Sequence, residues 1–139
     1  MKISTRGGYG IKALLELSQR HGEGYTQSFK IASARHIPQN YLYQLLIALR
    51  KAGLVRSRRG PQGGHMLARP PGQITLAQAV LALEGPVEPI SCLQDLMDDC
   101  PFSANCPVRE VWQRITDATR EILDDTNFGD LARAEQDND

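Results

Sequence analysis

Three cysteines in the second half of the sequence are the residues best suited to chemistry. Seven residues separate Cys92 from Cys100, and five separate Cys100 from Cys106. Thiolates this close along the chain can converge on iron or another metal, or can be oxidised and reduced. We expect a cytosolic protein, in which structural disulfides are rare, and we therefore interpret these cysteines as a metal-ligating or redox-active segment.

The cysteine pattern alone leaves other chemistry open. The three thiols could form a disulfide switch, or could bind zinc together with a fourth ligand from elsewhere in the chain. The sequence contains no nucleophile–base pair, phosphate-binding loop or cofactor fingerprint beside them. A small metalloenzyme or electron carrier is therefore disfavoured, and we expect no enzymatic activity.

Charge is divided unevenly along the chain, although the net charge of the 139 residues is zero. The part up to Arg69 contains 12 Lys and Arg against 2 Glu, whereas the part from Pro70 onward contains 4 Arg against 14 Asp and Glu. The two parts thus carry +10 and −10. Because a basic surface attracts polyanions and an acidic one repels them, the first part is the candidate for binding a nucleic acid.

The basic part has the pattern of a helix-turn-helix followed by a β-hairpin. Apolar residues at helical spacing predict three helices, over residues 5–21, 27–35 and 38–53. Pro38 forces the turn between the second and third of these, because the residue before a proline avoids helical angles. Alternating residues around the glycine-rich stretch 60–64 then predict a hairpin, which in this position is a wing.

The remaining part is predicted to contain a helix capped by Thr75, an irregular segment with the cysteines, and a long helix that begins at Pro107. The fold class is therefore mainly α with a small β-hairpin wing, extended by a long dimerisation helix. We divide the chain into a winged helix-turn-helix domain (1–86), a cysteine-containing sensor loop (87–107), a dimerisation helix region (108–131) and a flexible acidic tail (132–139).

Membrane insertion and export are not indicated by the sequence. No apolar run approaches the roughly 20 residues that a membrane span requires. The first ten residues, MKISTRGGYG, are not followed by the apolar segment of a signal peptide. We therefore expect a cytoplasmic protein without a membrane partner.

Four motifs occur along the chain in a distinctive order: Thr5-Arg6-Gly7-Gly8-Tyr9, Tyr41-Leu42-Tyr43-Gln44-Leu45-Leu46, Leu49-Arg50-Lys51-Ala52-Gly53-Leu54-Val55 and Arg59-Gly60-Pro61-Gln62-Gly63-Gly64-His65. With these motifs the sequence resembles a known family, the winged-helix transcription regulators typified by IscR, NsrR and CymR. The similarity covers nearly the whole chain, and the last motif is the most specific. The resemblance implies a homodimer that binds double-stranded DNA at a pseudo-palindromic operator, often as a repressor.

The resemblance also implies roles for the basic part. A recognition helix contacts base edges through residues near its N-terminus. The wing is expected to insert into the minor groove, and other basic residues are expected to contact phosphates. At Tyr43, IscR-like proteins often have an acidic residue, so the operator of this chain is expected to differ from theirs. The residues expected to contact DNA are Gln39, Asn40, Tyr43, Gln44, Arg50, Arg58, Arg59 and Arg6.

For the cysteines, similarity to IscR and NsrR implies an iron–sulfur cluster, [2Fe–2S] or alternatively [4Fe–4S], held by Cys92, Cys100 and Cys106. Such a regulator would sense redox state, iron or nitric oxide. IscR-like proteins take a fourth ligand from a histidine three residues after the last cysteine, where this chain has Arg109, which cannot ligate. The candidate replacements are Glu110, Asp95, Asp98, Asp99 and His36 of a second subunit.

Similarity to CymR implies a different control. In that alternative the chain carries no cluster, and thiol oxidation or a partner protein sets its activity.

Overall fold

The computed structural model describes residues 3–86 and 106–138. In these two ranges, six α-helices and one β-hairpin follow one another along the chain. Their bounds are α1 (Thr5–Gln19), α2 (Ser28–Arg35), α3 (Gln39–Lys51), β1 (Val55–Arg58), β2 (Gly64–Leu67), α4 (Leu76–Glu84), α5 (Pro107–Asp125) and α6 (Phe128–Asp137), with one turn of 3₁₀-helix at Pro71–Gln73. The predicted fold class, mainly α with a small hairpin, is confirmed.

The core lies where the first three helices meet. Leu14 of α1, Ile31 of α2 and Leu45 of α3 are each fully buried, and α1 packs against both other helices. Burying one such side chain stabilises the fold by about 1.5–3 kcal/mol. The apolar stripe of α3 that the sequence predicted therefore faces inward, which leaves the opposite face of this helix for other contacts.

The turn between α2 and α3 depends on a backbone conformation that non-glycine residues rarely adopt. His36 caps α2 with φ 52° and ψ 46°, which is the left-handed region, and its N–H donates to the carbonyl of Ala32. Ile37 then turns inward and is buried, and Pro38 is the N-cap of α3. This tight connection makes α2 and α3 a helix-turn-helix, as predicted from the sequence.

The hairpin is attached to the start of α2. Val55 pairs with Leu67 and Arg58 with Gly64, so the strands are antiparallel with the turn at residues 59–63. On the far side of β2, His65 and Thr26 exchange two backbone hydrogen bonds of 2.8 Å each. A Cβ at Gly64 would lie 2.3 Å from the Thr26 carbonyl oxygen, so this close approach requires glycine.

Helix α4 begins with the predicted cap. The Thr75 hydroxyl accepts from the Gln78 N–H at 3.1 Å, and the Gln78 side chain accepts from the Thr75 N–H at 3.0 Å, which is a complete capping box. Helix α5 packs along α4, with Thr116 and Leu123 as its buried residues.

The C-terminal part differs from the prediction in two ways. The long helix ends at Asp125 rather than continuing to residue 131, because Thr126 is extended and Asn127 caps a new helix by accepting from the Asp130 N–H. The prediction of a flexible tail at 132–139 is wrong for the described residues up to 138. Helix α6 continues to Asp137, and its first residue, Phe128, is fully buried in the core.

None of the helices in residues 3–86 and 106–138 has the length and apolar character needed to cross a bilayer.

Candidate nucleic-acid interface

Polar side chains face solvent along one side of α3, starting in its first turn. Leu42, Leu45 and Leu49 point into the core, so the polar residues between them face solvent. The Gln39 amide donates to the Tyr43 hydroxyl at 3.2 Å, which orders two of these side chains before any ligand arrives. The exposed candidate base-reading residues are Gln39, Asn40, Tyr43 and Gln44.

A groove of about 330 Å³ lies between α3 and the hairpin. Its wall on α3 includes Tyr43, Ile47 and Arg50, placed at helical spacing on one face. The opposite wall is formed by the hairpin residues Ser57, Arg58, Arg59 and His65. Three guanidinium groups therefore border one open groove, and its chemistry suits an anionic ligand.

His65 is the neutral member of this cationic groove. Its Nδ1 lies 2.8 Å from the Ser57 hydroxyl oxygen across the two strands. Partial burial lowers the pKa of His65 below its usual 6.5, and the positive charge of Arg50 lowers it further. The groove thus holds an imidazole that stays uncharged near neutral pH in the free protein.

The wing is steadied by contacts outside the groove. The Arg58 guanidinium lies over the Tyr25 ring, 5.9 Å from its centroid. The Gln27 amide donates to the carbonyl of Pro61 in the hairpin turn at 3.1 Å. The loop before α2 therefore holds the hairpin at a set distance from the helix-turn-helix.

The structure brings some of the predicted DNA-contacting residues together and separates one. Tyr43, Arg50, Arg58 and Arg59 border the groove, and the remaining candidates on α3 lie on the same exposed helix face. Arg6 is exposed in the first turn of α1 and is not among the groove-lining residues.

Four residues that line the groove were not among the predicted DNA contacts, namely Leu46, Ile47, Ser57 and His65. His65 follows the turn of the predicted wing, and that position was the available signal. Ile47 is 46% exposed one helical turn after Tyr43. It lies on the opposite side of α3 from Leu45 and Leu49, so the apolar spacing of the helix was the signal that could have placed it on the outer face.

The Rrf2 family model, described as an iron-dependent transcriptional regulator, matches residues 3–134 of this chain. This chain belongs to the Rrf2 family. It is therefore a transcriptional regulator, and the resemblance inferred from the sequence motifs is confirmed.

The Rrf2 relatives include proteins of both kinds that the sequence suggested. The HTH-type transcriptional regulator CymR of Bacillus subtilis is 44% identical over 132 residues, which cover 95% of this chain and 90% of CymR. The solved structure of that protein, described as the global cysteine regulator of B. subtilis, superposes with a TM-score of 0.82 at 41% identity over 96% of this chain and 98% of that chain.

Two further structures are similar. T. potens IscR is 34% identical with a TM-score of 0.77, covering 97% of this chain and 88% of that chain. The oxidized form of Staphylococcus aureus CymR is also 34% identical, with a TM-score of 0.73, and covers 95% of this chain and 96% of that chain.

The predicted metal site of this Rrf2 protein falls largely outside the described residues, because Cys92 and Cys100 lie in 87–105. Cys106 is half-buried at the N-cap of α5. Arg109 follows in the first turn, and its guanidinium offers only N–H donors. Within the described ranges, no three His, Cys, Asp or Glu side chains are grouped closely enough to hold a metal ion.

The residues that the structure describes therefore do not fit the histidine-completed cluster site of IscR-like proteins.

Helix α5 presents a second surface with a clear chemical character. Its buried residues face α4, whereas an apolar stripe on another side of the helix is open to solvent. Four side chains of this stripe are 42–65% exposed and recur every three, four or seven residues: Val108, Val111, Ile115 and Ile122. An apolar stripe of this kind on a 19-residue helix is typical of a helix that packs against another chain.

Proposed function

We propose that this chain regulates transcription as a homodimer that binds a specific double-stranded DNA sequence through the groove between α3 and the wing. The observation that carries the proposal is the placement of Arg50, Arg58 and Arg59 around one open groove beside the exposed face of α3. Guanidinium groups that border such a groove can neutralise DNA phosphates, and polar side chains on the adjacent helix can contact base edges.

Base recognition is assigned to the first half of α3. Gln44 and Asn40 have amide groups that can donate to and accept from an adenine in the major groove. Tyr43 offers a hydroxyl group and an apolar ring edge, and its bond to Gln39 limits where that hydroxyl can point. Arg59 follows β1 directly, so it is the residue assigned to the minor groove.

Dimerisation is assigned to the exposed stripe of α5. The charges of this helix favour an antiparallel pair, because its first half carries a net charge of +1 from Arg109, Glu110 and Arg114, whereas its second half carries −3. The acidic excess of the second half comes from Asp117, Glu121, Asp124 and Asp125 against Arg120. Two antiparallel copies would place each basic half beside an acidic one. The two recognition helices would then be related by a two-fold axis, which suits a pseudo-palindromic operator.

Control of DNA binding is assigned to the cysteines as thiols, or to a partner protein, without an iron–sulfur cluster. Arg109 occupies the position at which the related cluster proteins are expected to supply a ligand, and a guanidinium cannot coordinate iron. The similarity to CymR, described as a cysteine regulator, favours the same assignment. Cys106 lies at the start of α5, so a change at this thiol would occur beside the proposed dimer contact.

The DNA-binding proposal is tested by selecting duplexes from a random library with the purified protein. Enrichment of one two-fold symmetric sequence is expected. With that duplex as probe, Arg59→Ala should weaken binding and reduce the salt dependence by about one counterion for each lost phosphate contact. Arg133→Ala, which removes an exposed arginine of α6, is the matched control and should bind normally.

Gln44→Ala distinguishes base reading from general affinity. It should change which bases are enriched at one position of each half-site, at a cost of about 1–3 kcal/mol in discrimination, and should leave non-specific binding unchanged. An equal loss on every sequence would remove Gln44 from the set of base-reading residues.

The second candidate function is cluster sensing, which the family description and the similarity to IscR favour. Anaerobic purification followed by visible absorption, iron and acid-labile sulfide measurements separates the two candidates. A colourless protein that takes up neither iron nor sulfide supports control by thiols or a partner. A brown protein whose colour disappears in Cys92→Ala, Cys100→Ala and Cys106→Ala would establish the cluster and overturn our assignment.

A further inference from the structure

A polar cluster joins the last helix of the chain to the helix-turn-helix. Arg35, at the end of α2, donates through both Nη atoms to the two carboxylate oxygens of Glu135 in α6, at 2.6 and 2.7 Å. The Nε of the same guanidinium donates to Glu16 of α1 at 2.9 Å. One arginine therefore binds three helices together with planar, charge-assisted hydrogen bonds.

The cluster continues on the α1 side. The Gln19 amide donates to the Ala132 carbonyl at 2.9 Å and to Glu135 at 3.0 Å, and it accepts from the amide of Gln136. The Arg35 and Glu16 side chains are 16% and 13% exposed, so the contact between them is largely withdrawn from solvent, whereas the Glu135 side chain is 34% exposed. Such a set of hydrogen bonds specifies one orientation more sharply than apolar packing does.

The position of this cluster along the chain gives it a mechanical consequence. Helix α6 follows the proposed dimerisation helix α5 after only Thr126 and Asn127. The start of α6 is anchored, because Phe128 is buried and its N–H donates to the Ile74 carbonyl at 3.0 Å. Helix α6 packs against α1, and the Arg35–Glu135 pair joins its end to α2, which is the first helix of the helix-turn-helix. The polypeptide that leaves the dimer helix therefore braces the DNA-reading unit.

We infer that the contact between Arg35 and Glu135 is a specificity-determining contact that sets the distance between the two DNA half-sites. This inference depends on the proposed function, namely a dimer formed through α5. Arg35 and Glu135 are positioning residues in this account and do not touch DNA. The angle between the dimer helix and the helix-turn-helix decides how far apart the two recognition helices lie. Disrupting the contact between Arg35 and Glu135 lets that angle vary, so that the protein loses less affinity for operators with altered half-site spacing.

The test compares binding to two duplexes. The first is the symmetric sequence that the wild-type protein selects from a random library. The second is the same sequence with one base pair inserted at its centre, which leaves every base of both half-sites intact. The quantity measured is the ratio of the two dissociation constants, because a general loss of stability or affinity affects both constants and leaves their ratio unchanged.

Glu135→Gln keeps the shape of the side chain and removes its charge. We expect this variant to reduce the spacing penalty by about threefold or more, which is the scale of one charge-assisted contact. The matched control is Asp137→Asn, which removes an exposed carboxylate near the end of the same helix. It should keep the wild-type ratio. The bases selected in each half-site should be identical for all three proteins.

Gln19→Ala provides a second disruption of the same junction from α1, without altering any charge, should Glu135→Gln fail to fold. It is expected to lower the spacing penalty as well. If both variants keep the wild-type ratio while binding the selected duplex, the inference is overturned and the proposed function stands. If the wild-type protein enriches no sequence from the library, the proposed function fails, and the inference fails with it.

Discussion

The Ser57 hydroxyl and His65 Nδ1 lie 2.8 Å apart on opposite strands of the hairpin, within the groove that we assign to DNA. The charged groups around this groove are Arg50 on α3 and Arg58 and Arg59 on the hairpin. An uncharged imidazole among cations is stable in the free protein. A phosphate placed in the groove would reverse that preference, since it favours the imidazolium.

DNA binding is therefore expected to take up protons at His65. The pKa of this side chain lies below 6.5 in the free protein and should rise when a phosphate approaches, so affinity should increase as the pH falls from neutral through 6.5. His65→Gln should flatten this dependence, whereas His21→Gln, which changes an exposed histidine outside the groove, should not. Calorimetric titration in two buffers of different ionisation enthalpy measures the uptake. Equal uptake by wild type and His65→Gln would rule out His65 as the proton acceptor.

Dimerisation should fail when a charge enters the apolar stripe of α5. Ile115 is 42% exposed within this stripe, so Ile115→Glu places a carboxylate where two copies are expected to meet without disturbing the core. Sedimentation velocity should show a monomer, and DNA affinity should fall with it. Gln113→Glu, on the exposed side of the same helix away from the stripe, is the control and should remain dimeric. A dimeric Ile115→Glu variant would place the dimer interface elsewhere.

The turn at His36 should be improved by glycine. A side chain at φ 52° costs roughly 1 kcal/mol, and His36→Gly removes that cost at an exposed position. We expect a small increase in the free energy of unfolding, measured by urea denaturation. The complementary change is Gly53→Ala at φ 80°, where nothing lies within 4 Å of an added Cβ, so only backbone strain is introduced. It should destabilise the protein by about 1–2 kcal/mol. A decrease in the free energy of unfolding for His36→Gly, or an increase for Gly53→Ala, would contradict the backbone argument.

The contact between Arg35 and Glu135 should make the free energy of unfolding depend on pH in the acidic range. The hydrogen bonds from Arg35, aided by one from Gln19 and by the charge of Arg35, lower the pKa of Glu135 from 4.5 to about 2. Between these values the unfolded chain binds a proton at this carboxyl and the folded chain does not, so the stabilisation is complete above about pH 4.5 and is lost as the pH falls toward 2.

Glu135→Gln should therefore be less stable than the wild type at neutral pH and should approach it below about pH 3. Because the Glu135 side chain is 34% exposed, solvent screening limits the difference to the order of 1 kcal/mol. Urea unfolding at several pH values measures the two curves, with Asp137→Asn as the control. A difference that stays constant from neutral pH to pH 2 would show that Glu135 acts through packing and not through its charge.

The local elements of this protein were predictable from its sequence because their signals are short-range. The apolar spacing of α3, the cap at Thr75 and the glycines around the wing turn each act within one or two turns of the chain. The end of the long helix was harder to predict, since Ile122, Leu123 and Leu131 continue an apolar pattern across the break at Asn127. The helix after that break forms because Phe128 inserts into a core that is distant in sequence.

The sequence by itself determined the winged helix-turn-helix, the basic character of its first half and the resemblance to the regulators of this family. These properties follow from periodicity, charge and motifs, each of which is local. Only the tertiary structure decided that His65 lies among three arginines and that the C-terminal residues form a helix joined to Arg35 through Glu135. Those outcomes depend on contacts between residues as far apart as 35 and 135, which local pattern does not encode.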